Sequence, residues 1–165
     1  MCRYLRGTSD YGIHYSGYPP VLEGYSDSNW ISDADEIKVT SGYIFTLVGA
    51  TVAWRSCKQT VLTKSTAEAE LVALETDTNE VEWLRELLMD LPLLEKPVPP
   101  ILMYCHNQSM LTQVMNTKDN SKSNKHIKRR LKTVRKMRNS EVIAVSYVKS
   151  KNNLAALSQR DYHGM

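Results

Sequence analysis

The sequence predicts an α/β domain with a mixed sheet, because of three features. Three segments with alternating apolar residues follow one another early in the chain, which is typical of antiparallel strands joined by short turns. Residues 66 to 91 then carry apolar side chains at three- and four-residue steps, as in an amphipathic helix. The rest alternates short apolar segments with helical ones, which favours additional strands beside the first three. The predicted order is therefore β-β-β-α-β-α-α-β-α.

The first strand is predicted in VLEGYSDSNW, where it ends near Asp27 in a polar turn. The next segment, TSGYIFTLVGATVAWRS, predicts two strands joined by a tight turn at Gly49-Ala50. Residues 1–17 predict the end of a short helix that leads to a strand. These segments place three antiparallel strands before the first long helix.

The long helix is predicted to begin at Ser65 or Thr66 and to end at Leu91. Thr66 is a suitable N-cap, and Glu68 and Glu70 lie in the first turn, where the helix dipole favours acids. Glu70 adjoins the apolar stripe of this helix. We therefore expect its side chain to face the sheet instead of the solvent.

The second half of the chain contains shorter elements. A strand is predicted from 100 to 105, a helix from about 107 to 116, a last strand in EVIAVSYVK and the start of a closing helix in NNLAALSQR. We also expect the three tryptophans to lie in the core instead of forming platforms for base stacking; these are Trp30, Trp54 and Trp83.

Composition predicts a single domain that can bury a core of its own. The chain has 165 residues, of which 42% are hydrophobic and 24% charged. No apolar stretch approaches the roughly 18 residues of a membrane helix, and no leader precedes the first segment. The three cysteines match no zinc-site spacing. We therefore expect an intracellular protein, cytoplasmic or nuclear, without membrane association or a small-molecule cofactor.

Positive charge is concentrated between residues 118 and 138. This window holds ten of the 21 lysines and arginines and one acid, Asp119, although the whole chain has a net charge of only +3. Such segregation favours contact with a polyanion over the alternatives of a solvated helix face or a nuclear localisation tract at KRRLK. The candidate contacts are Lys125, His126, Lys128, Arg129, Arg130, Lys132, Arg135 and Lys136.

Three polar residues are predicted to approach one edge of the sheet. Asp27 ends the first strand, Glu70 lies one turn into the long helix, and His106 follows the fourth strand in the segment YCHNQS. A two-metal phosphodiester site needs carboxylates gathered from separate elements, because Mg²⁺ prefers oxygen ligands. Spacing by itself nevertheless favours capping or solvated acids and a hydrogen-bonded histidine over a metal site.

Eight blocks of sequence occur in order from about Arg3 to about Arg160: RYLRGTSDYGIHY, GYSDSNW, TSGYIFTLVGATVAWRSCKQ, STAEAELVAL, EVEWLRELL, YCHNQS, NKHIK and YVKSKNNLAAL. Together they resemble the C-terminal ribonuclease H domain of copia-type LTR retrotransposon polyproteins. The resemblance implies an RNase H-like fold, with a five-stranded mixed sheet of three antiparallel strands and two parallel additions, flanked by helices. It also implies one domain over 1–165, whose first 17 residues are the tail of a connection to a reverse transcriptase region.

The same resemblance implies a Mg²⁺- or Mn²⁺-dependent enzyme that cleaves the RNA strand of an RNA–DNA hybrid. Two of the four catalytic acids of the family correspond to Asp27 and Glu70, in YSDSNW and EAE. The third, the Asp of a YCDNQS block, corresponds to His106, and the fourth, the Asp of an NLAD block, corresponds to Ala156. A histidine nitrogen replaces a carboxylate poorly on Mg²⁺, and alanine has no ligand atom. Asp27 and Glu70 therefore remain as weak metal ligands.

The sequence leaves several functions open. We favour a degenerate ribonuclease H domain, retained as a free-standing protein, that binds RNA–DNA hybrid or duplex RNA with absent or much reduced cleavage. The basic segment would bind the nucleic acid, together with Asn107 and Gln108, which stand where the family places polar groups near it. The alternatives are an active Mg²⁺-dependent ribonuclease H with a substitute for the missing acids, a protein-interaction module of a domesticated retrotransposon fragment, and a decaying gene product without function.

Overall fold

A computed structural model describes residues 6–12, 21–30, 39–92, 96–116 and 124–156. Its five strands are β1 (Leu22–Asn29), β2 (Thr40–Leu47), β3 (Ala50–Lys58), β4 (Ile101–Cys105) and β5 (Ile143–Tyr147). Its long helices are α1 (Thr66–Asp90), α2 (Gln108–Met115) and α3 (Lys125–Asn139), and a 3₁₀ turn follows at Ser150–Asn152. This order confirms the predicted α/β domain.

The sheet has the strand order β3-β2-β1-β4-β5, with β1 at its centre. The first three strands pair antiparallel, whereas β4 joins β1, and β5 joins β4, in parallel. Parallel neighbours end at the same edge of a sheet. The residues that close β1 and β4 therefore lie side by side, as the predicted mixed sheet requires.

The core lies between the sheet and the three helices. Its most deeply buried side chains come from both layers and include Phe45, Met103, Leu71, Leu74 and Ile127. Arg85 of α1 donates hydrogen bonds to the backbone carbonyls of Pro99, Glu141 and Val142, which precede β4 and β5. Helix α1 is thus fixed against the sheet by apolar packing and by this arginine.

Two local predictions were displaced by one residue. Ser65, not Thr66, is the N-cap of α1, because its hydroxyl accepts a hydrogen bond from the backbone N–H of Glu68 at 3.2 Å. The hairpin between β2 and β3 turns at Val48-Gly49, not at Gly49-Ala50. Both turn residues have positive φ, 57° and 78°, which matches the twist of the flanking strands.

The prediction that the tryptophans lie in the core was wrong. Trp30, Trp54 and Trp83 are 37%, 69% and 56% exposed. Trp54 lies on the edge strand β3 opposite Ile44, on the sheet face away from Phe45, and Trp83 lies on the outer side of α1. Burial depends on which face of an element a residue occupies, and the apolar character of tryptophan does not encode that face.

Some predictions concern residues outside the described part of the chain. Ala155 and Ala156 begin the predicted closing helix, but its continuation over 157–160 lies outside the described residues. The same is true of 1–5 and 13–17 and of the first basic residues, Lys118 and Lys122. Within the described ranges, no helix combines the length and apolarity needed to cross a membrane.

Gly24→Ala should destabilise the fold by about 1–3 kcal/mol, because overpacking a core forces neighbouring atoms apart. A Cβ at residue 24 would lie 2.4 Å from Sδ of Met103 and 2.6 Å from Cε1 of Phe45. Urea unfolding measures the change. Gly7→Ala is the control, since its Cβ would meet nothing within 4 Å; equal midpoints for the two variants would contradict this account of the β1 packing.

Candidate active site and nucleic-acid interface

Asp27, Glu70 and His106 come together at one edge of the sheet. Each offers one ligand atom, and these three atoms lie within 4.8 Å of one another. The pairing of β1 with β4 explains why Asp27 lies beside His106. Tyr25 of β1 lies opposite Tyr104 of β4, and Asp27 and His106 each follow these tyrosines by two residues. Side chains two residues apart share a face of a strand, so Asp27 and His106 project on the same side. The predicted convergence is present in the structure.

His106 makes close contacts with both acids. Its Nδ1 lies 2.7 Å from Oδ1 of Asp27 and 3.3 Å from Oε1 of Glu70. The first distance requires a proton or a cation between the two atoms, because two facing lone pairs would repel each other. In the metal-free protein, a proton on Nδ1 of His106 satisfies this contact, and the contact with Asp27 raises the pKa of the imidazole.

Backbone and amide groups orient the two acids. The backbone N–H of Ser28 donates to Oε1 of Glu70 at 3.2 Å, and Glu70 is 1% exposed, as expected for a side chain that faces the sheet. Asn153 donates through Nδ2 to the carbonyl of Ser26 at 2.9 Å and lies 3.5 Å from Oδ1 of Asp27. The Asn153 amide thus ties the segment after β5 to the end of β1.

Ala156 lies at the start of the closing helix, three residues after Asn153. Its backbone N–H donates to the Asn153 carbonyl at 3.2 Å, and the N–H of Ala155 donates to the Asn153 side chain at 3.1 Å. The NLAA segment is therefore anchored beside Asp27. Its fourth residue, Ala156, contributes a methyl group and no oxygen ligand.

Sequence reasoning missed Asn153 and Asp77. Asn153 precedes the residue aligned with the fourth acid and had no distinguishing signal apart from its place in that block. Asp77 lies seven residues after Glu70 on the same face of α1 and is 1% exposed. Burial raises the pKa of Asp77 well above its usual range, and a hydrogen bond with Ser26 opposes that rise. The seven-residue spacing was the signal available for Asp77.

Burial and mutual interaction shift the pKa values of the site. Burial raises the pKa of Glu70 to about 7, with a contribution from the Asp27 charge, while His106 and hydrogen bonding from Ser28 act in the opposite direction. The pKa of His106 is raised by its contact with Asp27, against the effect of burial. Both shifts favour the protonated form of the group concerned.

The donor set does not suit a pair of Mg²⁺ ions. Two carboxylates and one imidazole nitrogen converge, whereas hard Mg²⁺ prefers an all-oxygen octahedron. Nδ1 of His106 is in close contact with an oxygen of each acid, and Ala156 adds no oxygen. The site therefore lacks the carboxylate charge on which a second ion depends.

Asn107 and Gln108 lie where β4 passes into α2. Asn107 is the N-cap of α2, and its Oδ1 accepts a hydrogen bond from the backbone N–H of Met110 at 3.0 Å. Gln108 is exposed at the first residue of the helix. The structure thus gives Asn107 a structural role and leaves the side chain of Gln108 open to solvent.

Some cations of helix α3 contact other parts of the domain, whereas others are exposed to solvent. Arg130 pairs with Glu75 of α1, and Arg135 donates to the carbonyl of Gln113 at 2.8 Å. Both are partly buried and help to hold α3 in place. Six of the predicted contacts are exposed instead: Lys125, His126, Lys128, Arg129, Lys132 and Lys136.

The exposed cations of α3 form a stripe. Lys125, Arg129, Lys132 and Lys136 recur at steps of four, three and four residues, which places them on one face of the helix. With a rise of 1.5 Å per residue, the stripe extends over roughly 16 Å. Beside it, a cavity of about 280 Å³ is lined by Val61, Glu75, His126, Arg129, Arg130 and Thr133.

Comparison with known proteins identifies the family, although no protein-family model matches the chain. The chain is 33% identical over 155 residues to the retrovirus-related Pol polyprotein from transposon TNT 1-94 of Nicotiana tabacum. It is 32% identical over 156 residues to that from transposon RE2 of Arabidopsis thaliana. Both matches cover 94% of this chain. The chain belongs to the retrotransposon Pol family.

The chain spans only about a tenth of these Pol relatives, namely 11% and 10% of their lengths. Solved structures show which part it is. LC11-RNase H1, isolated from compost, superposes with a TM-score of 0.60 at 13% identity, covering 82% of this chain and 89% of that one. The N-terminal RNase H domain of rv2228c from Mycobacterium tuberculosis gives 0.59 at 10% identity, covering 89% and 100%. The fold of this retrotransposon Pol segment is therefore RNase H-like.

The free energy of unfolding should fall as pH rises from about 5 to about 8. The folded pKa of Glu70, about 7, exceeds its ordinary value of 4.5, so the folded state holds a proton that the unfolded state releases. His106, with a raised folded pKa, acts in the same direction, because its stabilisation is lost as pH rises through that value. Urea unfolding at several pH values, with a chelator present, measures the slope.

Glu70→Gln should flatten this pH dependence, because the amide cannot ionise. Glu82→Gln is the control, since Glu82 is an exposed glutamate on the same helix. Equal slopes in the parent and Glu70→Gln would contradict the assignment of the pH dependence to Glu70.

Proposed function

We propose that this domain binds RNA–DNA hybrid or duplex RNA and cleaves it slowly or not at all. The observation that supports the proposal is the contact of His106 with Asp27 and Glu70, where the family has a third acid. A positive imidazole in that position offsets the negative charge that would attract Mg²⁺. The domain keeps the fold of a ribonuclease H without the full set of acids.

The loss of cleavage follows from the chemistry of phosphodiester hydrolysis. Two metal ions about 4 Å apart activate the attacking water and stabilise the leaving oxygen. Those ions need carboxylates at both positions, and Ala156 leaves one position without a ligand. The remaining acids, Asp27 and Glu70, would hold a single Mg²⁺ ion weakly.

Binding depends on groups that this change leaves intact. The exposed stripe of α3 would contact phosphates, with His126, Lys128 and Gln108 beside it. An A-form duplex is recognised through phosphates and 2′-hydroxyl groups, without reading of base edges. Among the structural neighbours, LC11-RNase H1 and a foamy viral protease-reverse transcriptase were solved in complex with RNA/DNA hybrid. Those complexes support the substrate class proposed for this chain.

A different role is suggested by one relative. The chain is 42% identical over 85 residues to secreted RxLR effector protein 161 of Plasmopara viticola, which covers 51% of this chain and 60% of the effector. Sequences of this type thus occur outside Pol polyproteins. A protein-interaction module is the corresponding second candidate for this chain, and it predicts no salt-dependent affinity for nucleic acid.

The double variant His106→Asp, Ala156→Asp should cleave a labelled RNA–DNA hybrid in Mg²⁺ at least about 100-fold faster than the parent, because it restores the oxygen ligands of a two-metal site. Gel analysis of the cleavage products measures the rate. Adding Asp27→Asn to the double variant is the control and should abolish cleavage. A parent that already cuts in an Asp27-dependent manner would establish the alternative, an active ribonuclease H.

Lys132→Ala, Lys136→Ala should weaken hybrid binding and reduce its dependence on salt. Each phosphate contact contributes about 0.7 to 0.9 to the slope of log affinity against log salt, so two lost contacts should reduce the slope by about 1.5. Fluorescence anisotropy with a labelled hybrid, repeated between 50 and 200 mM salt, measures this slope. Lys96→Ala is the control. Lys96 is an exposed lysine that precedes β4, so it lies toward the edge of the sheet opposite to the one where β4 ends at the site. A slope unchanged by the α3 substitutions would remove the stripe from the interface.

A further inference from the structure

We propose that Asp27, Glu70 and His106 form a site for one divalent transition-metal ion of the zinc type, in place of the magnesium pair of the family. The proposal concerns the metal and is independent of nucleic-acid binding. It rests on the donor set, the spacing of the donor atoms and a buried carboxylate oxygen that has no partner.

The donor set is that of a borderline cation. Zinc binds histidine nitrogen and aspartate or glutamate oxygen, and sites with three protein ligands leave a fourth position for water. Imidazole also suits Co²⁺ and other late first-row ions, whereas Mg²⁺ prefers carboxylate, carbonyl and water ligands. The substitution of His106 for an acid thus removes the magnesium preference and supplies the nitrogen that zinc favours.

The three donor atoms lie within 4.8 Å of one another, and one of the two close distances matches the spacing of a tetrahedral ion. With bonds of about 2.0–2.1 Å, two ligand atoms of a tetrahedral zinc site lie roughly 3.3 Å apart. Nδ1 of His106 and Oε1 of Glu70 are 3.3 Å apart, and the contact between His106 and Asp27 is shorter at 2.7 Å. A small rotation of the Asp27 carboxylate would open the second distance. The three elements are otherwise already in place.

An independent observation comes from the other oxygen of Glu70. Oε2 is buried and has no hydrogen-bond partner in the described part of the chain. A buried polar atom without a partner is costly, and a buried carboxylate is normally paired or bound to a metal. A cation bound by both oxygens of the Glu70 carboxylate would give Oε2 the missing partner, and the carboxylates of Glu70 and Asp27 together would balance a charge of +2.

Neighbouring groups complete the site. The backbone N–H of Ser28 donates a hydrogen bond to Glu70, and the side-chain amide of Asn153 lies 3.5 Å from Oδ1 of Asp27. Such hydrogen bonds commonly orient the side chains that bind a metal. The side chain of His106 is 27% exposed, whereas that of Glu70 is 1% exposed. An ion would therefore enter past the imidazole and reach the buried carboxylate behind it.

The test is a titration of the chelator-treated protein with Co²⁺, whose visible absorption reports nitrogen and oxygen coordination directly. We expect one Co²⁺ per chain, release of that ion by equimolar Zn²⁺, and retention of it in millimolar Mg²⁺. Zn²⁺ should also raise the thermal unfolding midpoint, because binding to the folded state alone stabilises it. Absence of stoichiometric binding, or displacement by Mg²⁺, would overturn the proposal and leave His106 solely as the positive partner of the acids.

Variants assign the ion to these residues. His106→Ala should weaken Co²⁺ binding by about 100-fold, since loss even of a group behind a metal ligand costs 10- to 100-fold. His126→Ala, an exposed histidine on α3, should bind as the parent does. His106→Asp replaces the nitrogen donor with a carboxylate oxygen and should shift the preference toward Mg²⁺ and Mn²⁺. Equal Co²⁺ affinity in the parent and all three variants would place the ion elsewhere and refute the site.

Discussion

The parallel pairing of β1 with β4 is the constraint on which the rest of the site depends. Tyr25 and Tyr104 lie opposite each other, and their rings stack with centroids 5.0 Å apart. Two residues later, the same register brings Asp27 and His106 to one face. A shift by one residue would send one of these side chains to the opposite face. Glu70 joins them because α1 packs against β1, where the backbone of Ser28 holds its carboxylate.

The presence of His106 beside Asp27 and Glu70 changes the electrostatics of the site from what the family resemblance implies. Two buried carboxylates cannot both remain ionised without a positive partner. In the family that partner is a pair of metal ions, whereas here an imidazole stands between the acids. The pKa values of Glu70 and His106 are both raised, so each group favours an added proton that reduces the negative charge of the site. The proposed loss of cleavage and the proposed change of metal therefore have one physical origin.

Helix α3 combines structural and binding chemistry in a single basic segment. Arg130 and Arg135 are engaged by Glu75 and by the carbonyl of Gln113, so truncating them would disturb packing as well as charge. The exposed lysines that the structure describes on α3 make no such contact with the rest of the described chain. The charge count of the sequence thus overstates the number of cations available to a ligand. Among the described residues of the basic segment, the exposed stripe can contact a phosphate backbone without disturbing the packing of α1 against α3.

The order of strands and helices and the inward orientation of Glu70 could be read from the sequence, and the family resemblance predicted His106 and Ala156 as positions without the expected acids. These depend on local periodicity and on short motifs, both of which are written along the chain. The tertiary structure alone decided the contact of His106 with both acids, the role of Asn153 beside Asp27, the exposure of Trp54 and Trp83, and the internal use of Arg130 and Arg135. Each depends on the register between strands or on the face that an element presents to its neighbours. Those relations join residues far apart in sequence, so no local pattern encodes them.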